Sequence, residues 1–162
     1  MLSARLIDLI HTHAEQLARE VLKDLATNPR TRHWNVVPGE ELEHRISRMY
    51  QNLGSWIGDP KGDAIRVEYE DWGRRRYRSG IPLSEIVYAV LLLKQHLRKY
   101  IAEHGLTDYS GGRHAPQEML PVHMYGIQEL TGLVGDFFDK ALYHLARGYE
   151  MESQAARNPR SG

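Results

Sequence analysis

The stretch Asp71–Leu93, DWGRRRYRSGIPLSEIVYAVLLL, joins the end of one predicted helix to the start of the next. Ser79 and Gly80 predict the end of the first helix, because glycine readily adopts the left-handed conformation that closes a helix. Pro82 suits the first turn of the second helix, where a missing backbone N–H costs nothing. Apolar residues then follow at helical spacing on a broad face, so we expect this second helix to lie centrally in the fold.

Four arginines fall in the last turns of the first helix, namely Arg74, Arg75, Arg76 and Arg78. Two of them follow an acidic residue by four positions, Glu70 and Asp71, which favours ion pairs along the helix surface. Arg76 follows Trp72 by four residues and is predicted to lie along an aromatic stripe. We interpret the cluster as a solvated, paired helix end. The alternatives are the polar edge of a small-molecule pocket near Trp72 and, less favoured, a phosphate-binding patch.

The same three-to-four spacing of apolar residues predicts helices over residues 2–25, from about 40 to 57, over 63–78, from Pro82 to about 101, and from Pro116 or Pro121 to about 155. The segments 30–39 and 104–116 are predicted to be loops, because proline and glycine interrupt the pattern there. No alternating strand pattern occurs. The prediction is an all-α, globin-like or bundle-like domain of about six helices at residues 1–152, with a long C-terminal helix and a disordered tail at 153–162.

Composition narrows the possible functions. Lysine plus arginine equals aspartate plus glutamate at 21 each, so the net charge is zero and binding to nucleic acid is disfavoured. The absence of cysteine excludes thiolate metal sites and cysteine nucleophiles, and it fits a reducing compartment. No segment reaches the length of about 20 apolar residues that a membrane span requires. These features predict a cytoplasmic protein without a membrane partner.

No catalytic motif was found, and no histidine spacing typical of a metal site, so we expect neither an enzyme nor a bound metal. Two histidines, His96 and His144, fall on apolar helix faces, where either could reach an internal cavity. Together with Trp72 and Arg76 they form the candidate ligand-binding set. An alternative function is therefore a sensor that binds haem or a small molecule in a cavity near these residues.

The last helix carries an apolar stripe that is too long to be buried inside one small domain. Its candidate interface residues are Leu130, Val134, Phe137, Ala141, Leu145 and Tyr149. A stripe of this kind is typical of helices that pair with a partner helix. We therefore predict a homodimer that forms through this helix, with the first helix as a further candidate for the interface.

Two segments resemble a known family, namely Trp72–Val87 (WGRRRYRSGIPLSEIV) and Phe137–Glu150 (FFDKALYHLARGYE). They are similar to the N-terminal domain of RsbR/RsbRD-type co-antagonists of the bacterial stressosome, a domain also found ahead of histidine kinases. The resemblance implies a helical, globin-like domain without haem that dimerises and passes a signal through its C-terminal helix. The residues it carries over are Trp72, Gly80 and Pro82 at the helix junction, and Phe137, Asp139 and Tyr149 in the last helix.

No catalytic residue comes with this resemblance. No output domain is recognisable in the sequence after Glu150. We therefore expect the chain to act either alone on an output protein or as a sensor domain taken from a longer protein.

Overall fold

The computed structural model describes residues 2–57, 62–104 and 120–159. These residues form six α-helices and one 3-10 helix, with no β-strand among them, and the predicted all-α fold with a long C-terminal helix is confirmed. The elements are α1 (Leu2–Thr12), α2 (Ala14–Thr27), the 3-10 helix (Pro29–Val36), α3 (Gly39–Ile57), α4 (Asp63–Arg78), α5 (Leu83–His104) and α6 (Leu120–Arg157).

The first predicted helix is divided into α1 and α2 at His13. The backbone of His13 leaves helical geometry, with φ −102° and ψ 13°, and its Nδ1 atom lies 2.9 Å from the Leu9 carbonyl oxygen. The apolar spacing continues across this point, from Ile10 to Ala14 and Leu17, which are all buried. The sequence pattern therefore indicated one helix, because both halves bury the same face.

The segment predicted as a loop after Asn28 forms the 3-10 helix. The Asn28 side chain accepts a hydrogen bond of 3.0 Å from the Arg30 N–H, which caps the new helix. Thr31 is fully buried, and its hydroxyl donates to the Leu25 carbonyl oxygen at 2.8 Å. These local hydrogen bonds, and not a regular spacing of apolar residues, hold the 3-10 helix in place. They position Trp34 in the core.

The junction between α4 and α5 forms as predicted. Gly80 has φ +75°, in the left-handed region that favours glycine. The N–H groups of Gly80 and Ile81 donate to the carbonyl oxygens of Tyr77 and Arg76, at 2.9 and 3.2 Å, which closes α4. Ile81 is fully buried, so the turn is held by packing as well as by hydrogen bonds.

The long helix α6 packs against α4 and α5, and it also contacts α1 and α3. It continues as helix to Arg157, five residues into the stretch predicted to be a disordered tail. The predicted loop at 105–116 and the last residues, 160–162, lie outside the described part. Among the described helices, none combines the length and the hydropathy that a membrane crossing requires.

Candidate functional site

Helices α4 and α6 cross with their backbones in direct contact. The contact is made by two glycines, Gly73 in α4 and Gly148 in α6. A Cβ atom at Gly73 would overlap the Leu145 carbonyl oxygen, and one at Gly148 would overlap the Glu70 carbonyl oxygen and lie 2.7 Å from its carbonyl carbon. The two backbones are therefore in direct contact, with no side chain between them. We call this contact the glycine crossing.

Side chains at the C-terminal end of α4 hold α6 next to the glycine crossing. The Tyr149 hydroxyl donates to the Ile81 carbonyl oxygen at 2.9 Å, and its ring packs edge-on against Tyr77 with centroids 5.1 Å apart. Burial, together with the neighbouring Tyr77, raises the pKa of Tyr149. Arg78 donates to Glu152 at 2.8 Å, and this hydrogen bond lowers the pKa of Glu152. The position of α6 along α4 is thus fixed by both backbone and side chains.

Arg76 of α4 is buried against α3 and the 3-10 helix. Its Nη2 donates to Glu41 at 3.1 Å, and its guanidinium lies 6.0 Å from the centroid of the Trp34 ring. Arg45 donates to the same Glu41 oxygen at 3.2 Å. Burial lowers the pKa of Arg76 and Glu41 partly offsets this effect. For Glu41, burial opposes ionisation, but the two arginines outweigh it and lower the pKa.

This cluster has more donors than acceptors. The Nε and Nη1 atoms of Arg76 and the Nε1 atom of Trp72 are buried without a hydrogen-bond partner among the described residues. Two arginines share one carboxylate, so the cluster carries one excess positive charge. A buried cation in this setting depends on Glu41 for its stability, because removing its counter-charge leaves it unpaired.

The four arginines of the 74–78 cluster all contact partners inside the chain. Arg75 pairs with Asp71 at 2.9 Å, as predicted. Arg74 contacts the Met151 sulfur rather than Glu70, and Arg78 reaches across to α6. Arg76 lies against Trp34 instead of the predicted Trp72 stripe. The tertiary structure redirects these side chains because α3 and α6 supply partners that sequence spacing along α4 cannot reveal.

The candidate ligand-binding residues do not form one site. Of the four cavities described, only one is lined by any of the four residues, and that residue is His96. His96 pairs with Asp24 of α2 at 2.9 Å, whereas Trp72 packs against Tyr69. His144 has a buried Nδ1 atom without a partner among the described residues. In the described residues these side chains make separate contacts, and ligand or haem binding near Trp72, His96 and His144 stays a prediction.

The candidate dimer residues of α6 are mostly covered by the chain itself. The buried ones are Leu130, Val134, Phe137, Ala141 and Leu145, and Tyr149 is half-buried against α4. Phe137 stacks on Trp56 of α3 with centroids 5.6 Å apart. The stripe was predicted to be too long for one domain, but α4, α5 and neighbouring helices cover it. These residues therefore build the intramolecular core, and a second chain could reach α6 only on another face.

The outer face of α6 is where the chain leaves apolar surface uncovered. Tyr125 and Tyr143 are 69% and 64% exposed. Gly132 lies between them, and a Cβ atom there would meet nothing within 4 Å. Sequence analysis did not single out this face, although the spacing of seven residues from 125 to 132 and eleven from 132 to 143 places all three on one side of a helix.

Sequence analysis also missed a cavity beside Trp34. The cavity lies between α2, the 3-10 helix and the start of α3 and has a volume of about 280 Å³. The Trp34 ring forms part of its wall, and the indole N–H donates to the Glu85 carbonyl oxygen of α5 at 3.2 Å. We call it the Trp34 cavity. The sequence signal that could have indicated this cavity is a tryptophan, Trp34, within a polar segment.

The fold and these sites define an all-α domain with a long C-terminal helix. The family model described as "RsbT co-antagonist protein rsbRD N-terminal domain" matches residues 11–160. The chain therefore belongs to this family, and the resemblance found in the sequence is confirmed. The family is one of stressosome-type signalling domains. No curated protein and no solved structure matches the chain.

Proposed function

We propose that the chain is a non-enzymatic sensor module of bacterial stress signalling. It acts in the cytoplasm as a homodimer and relays a signal through α6 to an output domain or a partner protein, without binding nucleic acid or membrane. Membership of the co-antagonist family supports the signalling role. The glycine crossing is the structural observation on which the relay rests, because it ties the output helix directly to the body of the domain.

The relay follows from how tightly α6 is coupled to α4. Because no side chain separates Gly73 from Gly148, α6 cannot shift along α4 by adjusting side-chain rotamers alone. A displacement of α4 is therefore passed to α6 as a movement of the whole helix. Arg76 connects α4 in turn to Glu41 of α3, so three helices respond together.

The proposed dimer forms through the outer face of α6, defined by Tyr125, Gly132 and Tyr143. Glycine within a helix is less favourable than alanine by about 1 kcal/mol, and no described residue requires a missing side chain at Gly132. A glycine flanked by exposed tyrosines allows a partner helix to approach closely. The buried stripe of α6 then serves the core of each protomer, and the outer face serves the dimer.

The dimer is tested by native mass spectrometry and by light scattering after size-exclusion chromatography. We expect the unmodified protein to be a dimer and Tyr143→Glu to be a folded monomer, because the charge would be buried in the interface. Val67→Glu is the matched control, since Val67 is 61% exposed on α4, outside the proposed interface. This control is expected to remain dimeric.

A monomeric unmodified protein would contradict the dimer proposal, and so would a Tyr143→Glu variant that remains dimeric. Circular dichroism of each variant reports whether the helices are retained. A Val67→Glu variant that also dissociates would contradict an interface confined to the outer face of α6.

A further inference from the structure

The Trp34 cavity has the chemistry of a binding site for a neutral, mostly apolar molecule. Leu22, Leu25, Val37 and Leu42 form its walls together with Trp34. Among the described residues that line it, none is charged, and the only side-chain amide is that of Asn35. A ligand of matching chemistry is therefore uncharged, largely apolar, and able to make one hydrogen bond at Asn35.

The volume of the cavity sets the size of this ligand. An engineered apolar cavity of about 150 Å³ binds benzene in another protein. The Trp34 cavity is about 280 Å³ and is partly open to solvent, so it has room for two fused rings. We propose that the Trp34 cavity binds a small neutral aromatic molecule of about the size of indole, and this proposal deepens the sensor function on which it rests by naming a ligand class.

The position of Trp34 links the cavity to the rest of the fold. Its ring lines the cavity, its N–H holds the Glu85 carbonyl oxygen at the start of α5, and the Arg76 guanidinium lies 6.0 Å from the ring centroid. Glu85 also accepts hydrogen bonds from the backbone and ring of His33, which keeps the 3-10 helix against α5. A ligand in the cavity therefore packs against Trp34, whose ring lies next to Arg76 of α4.

The test is a titration of ¹⁵N-labelled protein with indole, followed by two-dimensional NMR. We expect saturable shifts at the Trp34 side-chain N–H and at the backbone N–H of Gly39, which also lines the cavity. Ala26→Leu places a larger side chain at the rim of the cavity and should weaken indole binding about tenfold or more, by occupying the space of the ligand. Ala102→Leu is the matched control, because Ala102 is an exposed helix residue that does not line the cavity, and it should leave the affinity unchanged.

Shifts that do not saturate, or an affinity that is equal in Ala26→Leu and the unmodified protein, would overturn the proposal. Binding and dimerisation are measured separately, so their failures are distinguishable. Saturable binding to a protein that proves monomeric would retain the cavity and contradict the dimer. A dimer that fails to bind indole would retain the proposed relay and remove this ligand class.

Discussion

Three glycines of α6 differ in what surrounds them. Gly148 lies on the inner face, where a Cβ atom would overlap the backbone of α4. Gly132 and Gly135 lie nearer the start of the same helix, where a Cβ atom would meet no described residue within 4 Å. The inner glycine is thus explained by the fold of one chain, and the other two are not. We take this difference as a sign that the two faces of α6 have different partners.

The two faces of α6 have different surroundings, so this one helix can serve two roles. Its inner face contributes buried apolar residues and the glycine crossing, which fix its position in the domain. Its outer face contributes exposed tyrosines and open glycines, which leave space for another chain. In the proposed relay, a signal received by the body of the domain reaches the outer face through this single helix.

The largest expected effect is that of Gly148→Ala. The added methyl group would overlap the Glu70 backbone, and relief requires the two helices to separate. We expect the free energy of unfolding to fall by about 3 kcal/mol or more, at the upper end of overpacking effects. Urea denaturation measures this change, and an unaltered midpoint would show that the glycine crossing is not tight.

A second test concerns the charge cluster that ties α4 to α3. Glu41→Gln leaves Arg76 buried without its counter-charge, and we expect a loss of about 2 kcal/mol, moderated because Glu41 is 39% exposed. Arg76→Met retains similar volume and removes the two unpaired donors, so its cost should stay below about 1 kcal/mol. Urea denaturation shows which of the two variants loses more stability. A larger loss of stability for Arg76→Met than for Glu41→Gln would contradict the proposed excess of unpaired donors.

The pair of Glu41 and Arg76 also makes the stability of the protein depend on pH, and this dependence serves as a control. The pKa of Glu41 is lowered in the folded protein, so its contribution to stability is complete above the pKa of the unfolded chain and is lost as the pH falls through the folded value. Because Glu41 is partly exposed, the acid-dependent part should be below about 1 kcal/mol. Glu41→Gln should abolish that part of the acid sensitivity.

The smallest effect, and the one opposite in sign, is expected for Gly132→Ala. In the monomeric Tyr143→Glu background it should raise the free energy of unfolding by about 0.5–1 kcal/mol, because alanine favours the helix and meets no neighbour. In the otherwise unmodified protein it should weaken the dimer, since a partner helix would meet the new methyl group. Sedimentation across a concentration series measures that second effect, and a tighter dimer would contradict close approach at Gly132.

Local patterns predicted a large part of the fold. Apolar periodicity and turn residues act over neighbouring positions in the sequence. They predicted the bounds of α4, the extent of α3 and the role of Gly80 in the α4–α5 junction. The 3-10 helix and the break at His13 were missed. They depend on hydrogen bonds that do not alter the apolar pattern, such as the one from Thr31 to Leu25.

The candidate site was predictable only in part, because its residues are distant in sequence. Arg76 was selected from the arginine run, yet its partners Glu41 and Trp34 lie on other elements. His96 and His144 were grouped by their apolar surroundings, and the structure separates them because each helix face has a different neighbour.

The sequence by itself therefore determined the helices, the main junction and the family, because these depend on spacing within short segments. Only the tertiary structure decided which face of α6 is covered and which cavity stays open. It also decided that Gly73 and Gly148 meet, although 75 residues separate them in the chain. A glycine carries no side chain whose pattern could indicate its partner, and its role appears only when another backbone occupies the space beside it.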